Sequence, residues 1–216
     1  MARFFVGLTG ASGHAYAVRL VEALVRAGHG VDLSITAAGC TVLRHELAID
    51  AGQEGERLAT ALGGALGAEV AALVRAWPAS AIGAPPASGT AGSAGTILVP
   101  CSMGTLARVA AGFSSNLVER AADVALKEGR PLLLVPREAP LSALHLENLL
   151  RLARLGAVIL PAAPGFYHRP RTVADLVDHV VGKVLDRLGI PHDLGARWRG
   201  TGEPPEEAGA ARGDAE

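Results

Sequence analysis

The 216-residue chain predicts an open, mostly parallel α/β sheet with helices on both faces, built as a single domain. Three observations carry that expectation. Short apolar runs that end at Gly or Pro alternate with longer Ala- and Leu-rich segments of helical spacing, as successive βα units require. Several of these runs are apolar throughout, as strands covered on both faces must be. Half of the residues are hydrophobic and 27 are Gly, which suits such a sheet under small-residue helices.

The elements follow in order. Phe4–Thr9 reads as a buried strand that stops at Gly10. Residues 13–27 show helical spacing, with Tyr16, Leu20, Leu24 and Val25 on one side. Val31–Thr36 is a second strand and Ala37–Leu47 a second helix. Residues 53–74 are expected to form a helix followed by a weak strand at Val70–Val74. Pro78 to Gly95 is a Pro/Gly/Ser/Ala loop, long enough to serve a function. Thr96–Val99 is a strand, with a helix beginning at Leu106. A helix over 116–128, a strand over 131–135, a helix over 142–155, a strand over 157–160 and a helix over 173–188 complete the series. From about Gly195 the composition turns to Gly, Pro, Glu and Arg. The expected division is therefore a domain over 1–192 and a poorly ordered tail over 193–216.

Composition removes several classes of function. A net charge of −1 gives no electrostatic case for nucleic acid or acidic membrane. Aromatic residues at 4 % are too sparse for a base-stacking platform. Cys40 and Cys101 make neither a disulfide framework nor a metal cluster. The apolar stretch at the N-terminus breaks at Gly10, short of a signal-peptide core, and no run reaches membrane length. A cytoplasmic protein is the expectation.

The chemistry is expected beyond the carboxyl ends of the strands, where open α/β sheets hold their ligands. The stretch from Arg120 to Arg137, RAADVALKEGRPLLLVPR, sets cations around a short apolar strand in a chain with only 19 % charged residues. Arg120, Lys127 and Arg137, followed by Glu138, suggest that anionic groups are held there. Thr9-Gly10-Ala11-Ser12-Gly13 is a tight turn into a helix, either a packing turn or a site whose free N–H groups take a phosphate or a flavin carbonyl. It is not a GxGxxG, and Asp32 opens its strand where a ribose-binding acid would close it, so a dinucleotide is disfavoured. Thr36 is placed to cap a helix. Ser88-Gly89-Thr90 either reaches a ligand or fills the long loop. Pro100-Cys101-Ser102-Met103-Gly104-Thr105 puts small hydroxyl residues at a helix start, a phosphate cradle. No His pairs with Cys101, so a structural or cofactor-lining role suits it better than a nucleophile. Arg137 and Glu138 form either a site pair or a plain ion pair, and Glu46 is either a second acid or a solvent-facing one. Tyr167 and His168 sit in a rigid Pro-rich loop, while His14 and His145 read as helix residues.

Beyond these physical readings, TGASG, APPASG, PCSMGTLA, NLVERAADVALKE, LLLVPREAPLSALHLENLLRLARLGAVILPAAPGFYHRP and VLDRLGIP resemble, in order and spacing, the UbiX-type flavin prenyltransferases. These belong to the wider group of FMN-binding, cysteine-decarboxylase-like flavoproteins. The resemblance covers residues 3–192 and implies a Rossmann-like (flavodoxin-like) fold. It also implies a homo-oligomer, typically a dodecamer, with flavin at a subunit interface. The implied reaction joins the dimethylallyl group of dimethylallyl phosphate to N5 and C6 of reduced FMN, independently of metal, and prenylated FMN passes to a UbiD-type decarboxylase. Carried over by position, Gly10, Ala11, Ser12, Thr36, Ser102, Met103, Gly104, Thr105 and Arg137 bind the cofactor. Arg120, Lys127, Tyr167, Lys183 and Ser88 bind the prenyl phosphate, and Glu138, Ser12 and Glu46 serve catalysis. Three positions depart from the pattern: Lys183 replaces a common Arg, Thr90 a Ser, and Ser115 an Asp.

Two rivals remain open at this stage. An FMN-dependent cysteine-type decarboxylase needs an early catalytic His and a PxMNxxMW-like clamp, where this chain reads PAAPGFYHRP. A non-catalytic FMN carrier has no use for a second set of phosphate-binding cations.

Overall fold

The computed structural model describes residues 1–195, 197 and 198. Six parallel strands make one sheet: β1 (Arg3–Leu8), β2 (Gly30–Ile35), β3 (Val74–Ala76), β4 (Thr96–Cys101), β5 (Leu132–Pro136) and β6 (Val158–Ile159). Their order is β3-β2-β1-β4-β5-β6. Of the doubly wound arrangements this is the 3-2-1-4-5-6 order, and its direction reverses between β1 and β4. The helices are α1 (His14–Arg26), α2 (Ala37–Leu47), α3 (Leu58–Leu66), α4 (Ala68–Leu73), α5 (Met103–Ala110), α6 (Leu117–Lys127), α7 (Ala143–Arg154) and α8 (Val173–Leu188).

The strand period of two sorts the core into two layers. Phe4, Val6 and Leu8 point to one face with Val31, Leu33, Ile35, Ile97, Val99, Leu133 and Val135, and α1, α2, α3, α4 and α8 cover them. Phe5, Leu98, Cys101, Leu132 and Leu134 point to the other face, under α5, α6 and Leu152 of α7. Gly7 faces this second layer. A Cβ there would stand 2.7 Å from Leu98 Cδ2 and 2.9 Å from Val118 Cγ1, so the missing side chain is what lets α6 lie close on β1.

Two elements depart from the sequence expectation. The single helix expected within 53–74 is two, divided at Gly67 with φ 98°, a left-handed geometry that glycine adopts freely. The strand expected at Val70–Val74 begins only at Val74, because Val31 pairs with Val74 and Leu33 with Ala76. Val70 is helical and buried instead. The loop over 78–95 carries two short 3₁₀ turns, Pro85–Ala87 and Gly89–Ala91, and Leu117 N–H donates to Ala79 O, tying it to α6. The expected tail over 193–216 falls largely outside the described residues. Within them, Arg197 pairs with Asp186 on α8 at 3.0 Å.

Candidate active site

The switch in strand order places the turns after β1 and β4 side by side, and Thr9 fastens them together. Its fully buried hydroxyl donates to Pro100 O at 2.7 Å and accepts from Ser102 N–H at 2.7 Å. Ser102 then caps α5, accepting from Thr105 N–H at 3.3 Å while its own hydroxyl donates to Thr105 Oγ1 at 3.1 Å. The side chains of Met103 and Thr105 are buried. This turn therefore presents to the crevice the N–H groups of Met103 and Gly104, for which no protein acceptor exists among the described residues. Gly104 is exposed, and a side chain on it would meet only Arg108 Nη1, at 3.7 Å. Open N–H groups at a helix start suit an anion.

The first turn is differently occupied. The N–H groups that begin α1, at a turn the sequence leaves open between packing and ligand binding, are taken by Glu46. Its carboxylate accepts from Gly13 N at 3.0 and 3.1 Å and from His14 N at 2.9 Å. Gly13, at φ 115°, has no side chain with which to cap the helix, so α2 supplies a carboxylate from 33 residues away. Burial pushes the Glu46 carboxyl up, but hydrogen bonds from Ser12, His14 and Gly13 outweigh it and hold the group below its ordinary range. Glu46 is half-buried and anchors the turn that bears Ser12. The turn also lies tight on α2, since a Cβ on Gly10 would stand 2.7 Å from the Ala38 Cβ.

Thr36 caps α2 as its type suggests, accepting from Gly39 N–H at 3.1 Å. Beyond β5, Arg137 is exposed and its Nε donates to Ser12 O at 3.3 Å, which brings a cation to the mouth of the crevice. Glu138 is exposed beside it and accepts from Ala139 N–H at 3.1 Å. No ion pair joins Arg137 to Glu138 among the described residues, so the plain-pair reading falls away. Cys101 is wholly buried and its thiol is pushed up to about 12 by desolvation, an inert thiol at neutral pH. Asp32 lies inside β2 and meets Arg3 Nη1 at 3.4 Å and Trp77 Nε1 at 3.2 Å, a structural acid.

The residues expected to hold a second phosphate do not gather here. Arg120 donates to Ala87 O at 3.2 Å and to Asp123 at 2.8 Å. Lys127 pairs with Glu128 in the last turn of α6, only five positions ahead of β5. In a parallel sheet that end of a crossover helix lies at the amino edge of the strands, opposite the crevice. Ser88 bonds Thr90 at 2.9 Å, so the Thr in place of Ser keeps a hydroxyl partner. Tyr167 and Lys183 lie with α8, which packs on α1 and pairs Asp178 with Arg19 at 2.6 Å, and there Tyr167 meets His179.

Sequence reasoning missed Glu119, which is fully buried and accepts from Arg108 and from Ser115 N–H at 3.0 Å. Asn116-x-x-Glu119 was the available signal, an N-cap residue followed three positions later by Glu; Asn116 Oδ1 accepts from Glu119 N–H at 3.0 Å. The Ser115 departure fits this network, since its hydroxyl donates to the same carboxylate.

An open anion-binding helix start, an arginine at its mouth and a Gly-lined turn, set at the switch point of a doubly wound sheet, fit a flavin mononucleotide. Residues 1–185 match the Flavoprotein family. Over 196 residues, 91 % of this chain and 93 % of its relative, the sequence is 48 % identical to the flavin prenyltransferase UbiX of Pseudomonas aeruginosa. The crystal structure of AnUbiX (PadA1) in complex with FMN and dimethylallyl pyrophosphate superposes with a TM-score of 0.82 at 35 % identity, covering 92 % of this chain and 98 % of that one. A dodecameric FMN-dependent UbiX-like decarboxylase from Escherichia coli O157:H7 gives 0.80 at 39 %, covering 92 % of this chain and all of that one. The chain belongs to the Flavoprotein family and, within it, to the UbiX flavin prenyltransferases.

Proposed function

We propose that this protein joins the dimethylallyl group of dimethylallyl phosphate to N5 and C6 of reduced FMN, yielding prenylated FMN for a UbiD-type decarboxylase. The observation that supports this reading is the open start of α5 beside Arg137 on a chain that carries further cations at other places in the fold. The first suits the flavin phosphate; Arg120, Lys127 and Lys183 are the cations proposed for a second phosphate, to be brought together by neighbouring copies. A flavin carrier needs only the first.

When bound, reduced flavin supplies N5 as the nucleophile and C6 as the second carbon to be alkylated. The N–H groups of Met103 and Gly104 take the flavin phosphate, with Ser102 and Thr105 shaping the helix start that presents them. Thr36, Gly10, Ala11 and Arg137 would hold the rest of the cofactor. Arg120, Lys127 and Lys183, with the Tyr167 hydroxyl and Ser88, bind the prenyl phosphate more tightly as its charge grows on leaving, which lowers the barrier to C–O cleavage. Glu138 would serve as the general base that takes up the proton released in the reaction. Ser12, whose hydroxyl engages Glu46, is held by it as a relay beside that acid.

Because Arg120, Lys127 and Lys183 do not gather in one subunit, we place the complete site between copies of the chain, in a homo-oligomer taken to be a dodecamer. The exposed leucines of α7 and its end, Leu144, Leu150 and Leu155, give such an assembly apolar contact area. In the described residues no helix is long and apolar enough to cross a membrane.

The test is anaerobic incubation of the purified protein with reduced FMN and dimethylallyl monophosphate, followed by mass spectrometry of the extracted flavin. A gain of one prenyl unit is expected. Unmodified flavin with both the monophosphate and the diphosphate would return the assignment to the carrier.

A further inference from the structure

His179 is a polar residue of α8 that the reading above leaves without a role, yet its two ring nitrogens have two different partners. Gly165 N–H points at Nδ1 at 3.2 Å, and Tyr167 Oη lies 3.2 Å from Nε2. A backbone N–H can only donate, so Nδ1 must be the bare, accepting nitrogen. The neutral ring then carries its proton on Nε2 and donates it to Tyr167 Oη. A phenol has one proton of its own. With its oxygen already accepting from His179, Tyr167 turns its O–H away from the imidazole and toward whatever faces its exposed side; the residue is 44 % exposed.

The surroundings hold this arrangement in place. His168 stacks on His179 with ring centroids 4.9 Å apart and planes 5° from parallel, which fixes the ring plane. Tyr167 meets His179 edge to face at 5.5 Å. Gly165 is required for the close approach: a Cβ there would stand 3.1 Å from the Tyr167 ring and 3.4 Å from His179 Cε1. Burial, with help from His168 and Lys183, holds the His179 ring below its ordinary pKa, so it stays neutral and keeps one tautomer.

We infer that His179 is a positioning residue for prenyl-phosphate binding: it fixes the tautomer-dependent hydrogen bond that leaves the Tyr167 hydroxyl free to donate to a phosphate oxygen. This rests on the reading of Tyr167 as a phosphate ligand. An aromatic ring alone would keep Tyr167 in place but leave its hydroxyl free to rotate and to donate in other directions. Lys183, one turn beyond His179 on the same helix, then supplies the charge while Tyr167 supplies the direction.

The experiment uses the full-length FMN-loaded protein and measures kcat, KM for dimethylallyl monophosphate and Kd for FMN in His179→Phe, His179→Gln, His179→Asn, Tyr167→Phe and the Tyr167→Phe/His179→Phe pair. A Gln amide reaches the place of Nε2 and can donate to Tyr167; an Asn amide reaches only the place of Nδ1 and serves Gly165 alone. His179→Phe and His179→Asn are expected to raise KM by roughly 3- to 10-fold, the worth of one directed hydrogen bond, with FMN affinity unchanged. His179→Gln should stay close to wild type. The double variant should be no worse than Tyr167→Phe, since the two act as one unit. A wild-type KM in His179→Phe, or a normal His179→Asn beside a damaged His179→Gln, overturns the positioning role in favour of loop anchoring. A wild-type KM in Tyr167→Phe instead overturns the reading of Tyr167, and the inference with it. The tautomer has its own readout: long-range ¹H–¹⁵N correlations of histidine-labelled protein should show the proton on Nε2, and a proton on Nδ1 overturns the assignment without any variant.

Discussion

Glu138 and Glu46 are two carboxylates near one crevice with different surroundings. Glu138 is exposed, with one oxygen on Ala139 N–H, and is available to take a proton. Glu138→Gln keeps the shape and removes the base, so kcat should fall by about 10²- to 10⁴-fold, the usual worth of a general base, while FMN binding stays intact; single-turnover rates measure it. Glu46 is committed to the start of α1, and its loss should act through folding. Its carboxyl is held below the ordinary 4.5, so its contribution to stability is present above that value and is lost as pH falls through the lower, folded one. His14 has the same sign by another route. It is fully buried, and burial lowers it from 6.5 against the opposing pull of Glu46 and Thr9. The unfolded chain therefore binds a proton that the folded chain resists, and stability drops as pH falls below 6.5. Thermal midpoints measured from pH 8 down to about 5 should decline, and His14→Leu should flatten the upper part of that decline. None of this commitment was legible in the sequence. Glu46 sits in a plain Arg-His-Glu triplet, and only the fold brings it to a helix that starts with a glycine.

Among elements, the strands and the long helices were readable because burial dictates their pattern. The apolar runs of β1, β4 and β5 and the spacing of α8 left little choice. The segment over 53–74 was not readable, because Ala and Leu serve a helix and a short edge strand equally; pairing with β2 decides where Val74 begins. The close contact of α6 with β1 depends on Gly7 in the same way. Gly7→Val should force Leu98 and Val118 apart and destabilise the fold by about 1–3 kcal/mol, the usual cost of overpacking, which denaturant unfolding will read as a lower midpoint with an unchanged slope. At the start of α5, Ser102→Ala removes both the cap and its bond to Thr105. It should cost roughly 1 kcal/mol and weaken FMN binding together with stability, a pairing that separates it from Glu138→Gln.

For the molecule as a whole, the candidate site at the turns after β1, β4 and β5 was legible as a group, since strand ends at a switch point converge by topology. The cations proposed for the prenyl phosphate stood out one by one in an apolar chain, but not as a group, because sequence order does not reveal which surfaces of neighbouring copies meet. The uncovered leucines of α7 give that question a handle. Leu150→Glu should leave the subunit folded, since Leu150 is 51 % exposed, and shift it to smaller species in sedimentation or light scattering.

Lys127 and Arg137 stand at opposite edges of one sheet. If a working site borrows each from a different copy, a defect in one can be rescued by a neighbour defective in the other. Lys127→Ala and Arg137→Ala proteins, each inactive alone, should regain roughly a quarter of the wild-type rate when dissociated, mixed in equal amounts and reassembled, because random neighbours then leave that share of sites whole. A population bearing both lesions would complement itself, although no single chain within it could act.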